Sequence, residues 1–175
     1  MNNFLPDGYE APKASSGYMS LEKGTNKFLI LDSAIIGFEY WNLSGKPVRV
    51  KSEPEETPVD IRREEDGKPE RIKHFWAFPV WNFEDEKVQI LEITQTTIMR
   101  EITALVKNED WGSPVMTYAI TITREGDKLT TKYTVTPSPA KAVAKDVKDE
   151  WDEVKAKGFD LNRLFGGGNP FSDKE

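Results

Sequence analysis

The sequence predicts a mainly β domain: a five-stranded barrel with one helix between the third and fourth strands, then a C-terminal helix, with flexible tails at both ends. Three observations carry that expectation. Five segments, within residues 27–41, 71–81, 87–93, 117–123 and 129–136, show long apolar runs or strict alternation, the two patterns of a strand. Between the third and fourth of them, apolar residues recur at helical spacing instead. The run from Arg71 to Phe83 also puts bulky apolar or aromatic side chains on both faces of one strand. A strand alternates its side chains with a period of two, so one face can enter a single-layer core and the other should meet solvent or a ligand.

Residues 1–25 mix Gly, Pro, Ser and Asn and read as an N-terminal arm without regular structure. The domain occupies 26–139. Lys27–Trp41 is one long apolar strand, interrupted at Asp32-Ser33 and Gly37 where a strand would bend or bulge; two shorter strands are the alternative. Residues 42–70 open on a Ser-Gly turn and allow a brief strand at Val48–Lys51. They then become charged and proline-dotted over about 52–70, which reads as a mobile excursion. Arg71–Trp81 and Lys87–Ile93 form a hairpin around Asn82–Glu86. Thr94 or Thr97 can cap a helix that runs to about Lys107, with Ile98, Ile102, Leu105 and Val106 on one side. Tyr118, Ile120 and Ile122 alternate with Ala119, Thr121 and Thr123, and after a turn at Glu125–Asp127 the chain returns with Thr131, Tyr133 and Val135 on one face. Residues 140–157 give a narrow stripe of Ala142, Val143, Val147 and Trp151, hence a helix docked on the barrel. Residues 158–175 carry three successive glycines and read as a flexible tail. Five strands with a helix between the third and fourth is the connectivity of the OB-fold.

Composition narrows the function. The chain has 175 residues, no cysteine and one histidine, which excludes a disulfide scaffold, a thiolate site and a histidine-rich metal centre. No segment approaches ~18 consecutive apolar residues, and Met1–Leu5 lacks the basic-then-apolar form of a signal peptide, so a soluble, cytoplasmic protein with no membrane partner is expected. The formal charge is −6, yet residues 43–73 hold eight basic and eight acidic residues, so the excess negative charge lies elsewhere and a basic groove is compatible with an acidic protein. Enzymatic readings do poorly. Glu84, Asp85 and Glu86 form an acidic turn that reads as a hydrated hairpin end, and Asp146, Glu150 and Glu153 sit among lysines on a charged helix. His74 has no evident Ser or Asp partner, and no glycine group supplies the lysine and hydroxyl of a P-loop. Neither a catalytic residue nor a cofactor is expected.

Single-stranded nucleic acid offers phosphates and flat bases together, and binding it takes cations along a path plus aromatic faces for stacking. The first half of the predicted barrel holds both. Tyr40 and Trp41 end the first strand, Lys46, Arg49 and Lys51 come next, and Arg71 and Lys73 share strand parity with Phe75 and Trp81. Parity thus makes the odd positions the ligand face and assigns Ile72, Trp76, Phe78 and Val80 to the core. His74 shares the core parity but lies at the strand entrance, where exposure is expected. The competing explanation for the aromatic run is a compact barrel sealed by its own terminal helix.

Several stretches resemble phage-encoded single-stranded-DNA-binding proteins: Lys27–Trp41, Lys46–Arg49, His74–Phe83, Ile90–Gln95, Asn108–Gly112, Tyr118–Thr123 and Tyr133–Thr136. The resemblance implies an OB-fold that coats and protects single-stranded DNA during phage replication or recombination in the infected bacterial cell, without a catalytic step. It also implies recruitment of phage or host replication proteins through an acidic C-terminus. Here Asp173 and Glu175 flank Lys174, a departure that weakens this last expectation, and the cysteine-bearing zinc variants of the family do not apply. The alternatives are an accessory protein of replication or recombination whose barrel binds another protein, and a homo-oligomer formed through the terminal helix.

Overall fold

Alternation decides where the strands fall, and the computed structural model, which describes residues 17–171, places eight of them in one sheet. The strands are β1 (Tyr18–Met19), β2 (Gly24–Ile30), β3 (Ile35–Trp41), β4 (Pro47–Val50), β5 (Lys73–Asn82), β6 (Lys87–Ile93), β7 (Ala119–Glu125) and β8 (Lys132–Pro137). Helix α1 (Thr96–Lys107) lies between β6 and β7, and α2 (Lys145–Ala156) comes after β8. The helix between two strand pairs is therefore as expected, and the long strand pattern of 27–41 is two strands. Strand β5 is the centre of the sheet. Antiparallel β6 runs along one edge from Trp76 to Asn82, while the other edge is shared by β3 over Lys73–Ala77 and β2 over Val80–Asn82. Where β2 gives way to β3, the Leu31 N–H donates to the Pro79 carbonyl at 2.9 Å.

The sheet is not closed. Its order is β1-β6-β5-β2-β7-β8, with β3 on β5 and β4 on β3, so the five-stranded barrel gives way to an open sheet. Part of the expected N-terminal arm is responsible: β1 pairs in parallel with β6, Tyr18 opposite Ile90 and Met19 opposite Leu91. That pairing occupies the β6 edge to which a closing strand would have to bond. Residues 1–16, the rest of the arm, lie outside the described residues.

One face of the sheet carries the main core. Phe28, Ile30, Phe78, Val80, Leu91, Ile93, Ile120 and Ile122 pack there with Ile98, Met99 and Ile102 of α1. Ile98 and Ile102 are buried and Leu105 packs on the core, as the stripe predicted; Met99 joins them, and Val106 is 46% exposed at the rim of a cavity. Gln95, not a threonine, is the N-cap, and its side chain makes no capping bond. Tyr118, Ile120 and Ile122 are buried and Ala119, Thr121 and Thr123 half-buried, in keeping with the alternation.

The second face is covered by the chain's own C-terminal segment. Val147 and Trp151 of α2 pack on Leu29, Leu31, Trp81 and Val88. A 3-10 turn, Leu161–Gly166, lays Leu161, Leu164 and Phe165 on Phe75, Ala77 and Ile90, with Phe159 and Phe171 beside them. The expected flexible tail is thus folded at least as far as residue 171; residues 172–175 lie outside the described residues. Glycines raise the entropy cost of ordering, but five apolar side chains between 159 and 171 find partners here: Leu161 and Leu164 are buried, worth roughly 1.5–3 kcal/mol each, and Phe159, Phe165 and Phe171 are partly buried. Gly167, at φ 75°, ends the turn.

The charged excursion also has structure. Bridges join Asn42 to Ile61 and Arg63 to Pro69, and Ile61 is 1% exposed. The Tyr40 hydroxyl donates to Asp60 at 3.2 Å. One buried isoleucine and these bonds return the segment to the end of β3, where composition alone suggested mobility. Among the described residues, no helix is long and apolar enough to cross a membrane.

Candidate nucleic-acid interface

The nine residues singled out by sequence divide into three groups. Phe75 and Trp81 are 0% and 6% exposed, enclosed between the sheet and the C-terminal segment, so the odd face of β5 is not an open stacking surface. The apolar surplus of this strand is a consequence of burial on both faces, which makes a strand read as a nearly continuous apolar run. Tyr40 is likewise buried, with its hydroxyl on Asp60, and burial pushes its ionisation up.

Arg49 is spoken for. Its Nη2 meets Glu92 at 2.7 Å and its Nε lies 3.5 Å from Glu39, while the guanidinium stands 5.9 Å from the Phe75 ring centre. Two carboxylates around one guanidinium leave no charge for a phosphate. Burial, then a hydrogen bond with Glu92, pushes the Glu39 carboxyl up to about 8, and Arg49 offsets only part of this. Glu39 therefore keeps its proton to a higher pH than an ordinary carboxyl, because burial and the neighbouring Glu92 disfavour its charged form.

The remaining four cations and Trp41 are exposed. Lys46, Arg71 and Lys73 make no ion pair among the described residues. Lys51 lies over the Phe165 ring at 5.6 Å. Trp41, 38% exposed, has the Arg62 guanidinium 5.3 Å from its ring. Arg62 itself is paired with Glu70 at 2.7 Å.

An uncovered aromatic surface exists on the opposite, even-numbered face, which parity reasoning assigned to the core. Cross-strand pairing sets Phe38 beside His74 and Ile36 beside Trp76. The Phe38 and His74 rings are 5.1 Å apart and tilted by 48°. Ile36 is 57% exposed, His74 is exposed as its place at the strand entrance suggested, and Phe38 and Trp76 are half-buried. Helix α1 covers Phe78 and Val80, and Trp76 packs against the same core, whereas Ile36, Phe38 and His74 are not part of it. Two cavities flank the strip. One of about 510 Å³ is lined by Phe38, Ile61, Arg71, Ile72 and His74 with Glu53 and Glu70. The other, about 400 Å³ and mainly apolar, lies between Ile36, Trp76, Phe78 and the end of α1 at Ile102 and Val106. The signal that could have found Ile36 and Phe38 beside His74 was helix length: twelve residues span about 18 Å, less than the breadth of a sheet with this many strands.

The acidic hairpin end is partly structural. Asp85 accepts from the Gln89 amide at 2.9 Å, and Gln89 in turn accepts from Asn82 at 2.8 Å. Among the described residues, no group of three or more His, Asp or Glu side chains is placed to hold a metal ion. Comparison with family models, with curated proteins and with solved structures finds no match to this chain.

Proposed function

We propose that the protein binds and protects single-stranded DNA, without catalysis, in the cytoplasm of an infected bacterial cell during phage replication or recombination. The observation that supports the reading is the strip of exposed Ile36 and His74 with half-buried Phe38 between them, bordered by the edge of Trp76 and by Arg71, which makes no ion pair among the described residues. Bases stack on such side chains irrespective of sequence, and exposed Lys46, just ahead of β4, is a further cation toward which a phosphate chain can continue, whereas Lys73 lies opposite Glu39 on the other face. The reading moves the stacking surface from the odd to the even face of β5. It relies on Phe38 and His74 in place of Phe75 and Trp81, and it drops Arg49 and Lys73 as phosphate contacts.

Titration of the intrinsic tryptophan fluorescence with poly-dT and with duplex DNA tests it. Quenching by poly-dT alone is expected, weakening steeply as salt rises. Phe38→Ala should reduce affinity about tenfold, the lower part of the range for one stacked base. No quenching at low salt, or equal quenching by duplex, would sink the reading. The second reading, a docking module for a replication or recombination protein, is favoured by the apolar cavity between Trp76 and Val106. It predicts little oligonucleotide binding at any salt.

A further inference from the structure

If the even face of β5 holds a single strand, the cavity beside Phe38 has a lining whose chemistry goes further than sequence-tolerant stacking. Its apolar wall is Phe38 with Ile61 and Ile72, and its polar groups are mostly hydrogen-bond acceptors. His74 has Nδ1 at 2.9 Å from the Gly37 carbonyl, so the ring proton is assigned to Nδ1 and Nε2 is left as an acceptor in the neutral ring. Glu70 is held by Arg62, whereas Glu53 makes no hydrogen bond or ion pair among the described residues. Arg71 is the lining's one permanent cation and is also unpaired. Two carboxylates repel a phosphate, so the backbone stays outside and Arg71 is the group that meets it. What suits the interior is a flat ring whose edge presents N–H donors.

The four bases differ in that edge. Guanine offers N1–H and the N2 amino group side by side, matching the two oxygens of one carboxylate. Adenine and cytosine place a ring acceptor next to their amino group, and thymine flanks its single N3–H with two carbonyls. A carboxylate facing any of these three meets a lone pair. We propose that this cavity is a base-selective pocket that takes a guanine, stacked against Phe38 and His74 and bonded along its N1/N2 edge by Glu53, which rests on the protein's binding single strands in the first place. Guanine in a strand and guanine in a free nucleotide share this chemistry, and the test separates them.

The measurement is the affinity of the full chain for a short oligo-dT in which the central base is T, G, A, C or hypoxanthine, which lacks the N2 amino group. The dG strand should bind about tenfold tighter than all-dT, as one good bidentate contact provides, with hypoxanthine between them and dA and dC no better than dT. Glu53→Gln, with an unchanged melting temperature to verify folding, should collapse the dG-to-dT ratio toward one. Equal affinity for all five strands, or a ratio that Glu53→Gln leaves intact, overturns the guanine assignment and leaves strand binding standing. Absence of binding to every strand overturns both. Free GMP that displaces as tightly as the dG strand binds would support the pocket while overturning the strand as its ligand.

Discussion

At the scale of single residues, Glu39 has the most distinctive chemistry in the molecule. Its carboxyl is hemmed in by burial and by Glu92, and titrates near 8 instead of in the usual carboxylate range. A folded-state value raised above the unfolded one means that the folded chain holds a proton which the unfolded chain releases between about pH 4.5 and 8. Stability therefore falls as pH rises through that window and levels off above it. Glu39→Gln keeps a neutral, hydrogen-bonding side chain and should flatten this slope, becoming more stable than the parent at pH 9 and differing less from it at pH 5. Urea unfolding across the range checks this; parallel pH profiles for the two proteins would refute the raised titration of Glu39. The arrangement was not legible in sequence, because Glu39, Arg49 and Glu92 are brought together only by the pairing of β3, β4, β5 and β6.

At the scale of elements, β5 shows how far local pattern reaches. Its length, its hairpin to β6 and the helix after that hairpin were all readable from alternation and spacing, since each depends on side chains within a few positions. Which face would stay open was not, because the covering groups, Trp151 and Leu161–Phe165, are some seventy to ninety residues away and look locally like an exposed charged helix and a glycine-rich tail. Gly37 marks how tightly that cover fits. A Cβ there would lie 2.5 Å from the Val50 carbonyl oxygen and 3.0 Å from the rings of Phe75 and Phe165, so backbone would have to move. Gly37→Ala is expected to cost about 1–3 kcal/mol, the range for overpacking, and to lower the unfolding midpoint without changing the strand content seen by circular dichroism. A neutral effect would mean that the 3-10 turn yields freely.

At the scale of the whole molecule, the sheet is the middle of three layers: α1 on one side, the C-terminal segment on the other. Removing everything after Pro139 would strip Leu29, Phe75, Ala77, Trp81 and Ile90 of their partners and expose one contiguous apolar face. The truncated chain should bind a hydrophobic dye and unfold at a markedly lower temperature than the full chain. A shortened chain with the parent's melting temperature and no dye binding would show that the third layer is dispensable. The same layering explains why the apolar surplus of β5 overstated its case for a ligand: most of it, Trp76 included, is consumed within the chain, and His74 with Phe38 and Ile36 of β3 lies outside the main core.

By itself, the sequence determined the strands β5, β6, β7 and β8, the position of α1, Val147 and Trp151 as the docking residues of α2 and the concentration of cations around β4 and the start of β5, because periodicity and turn chemistry are local properties; it missed β1, which falls in the expected arm. The tertiary structure alone decided that the sheet stays open, that Phe75 and Trp81 are enclosed, that Arg49 is neutralised, and that Ile36 and Phe38 lie beside exposed His74 outside the main core. Those outcomes depend on which distant segment covers which face, and burial between segments far apart in sequence leaves no periodic trace in either of them.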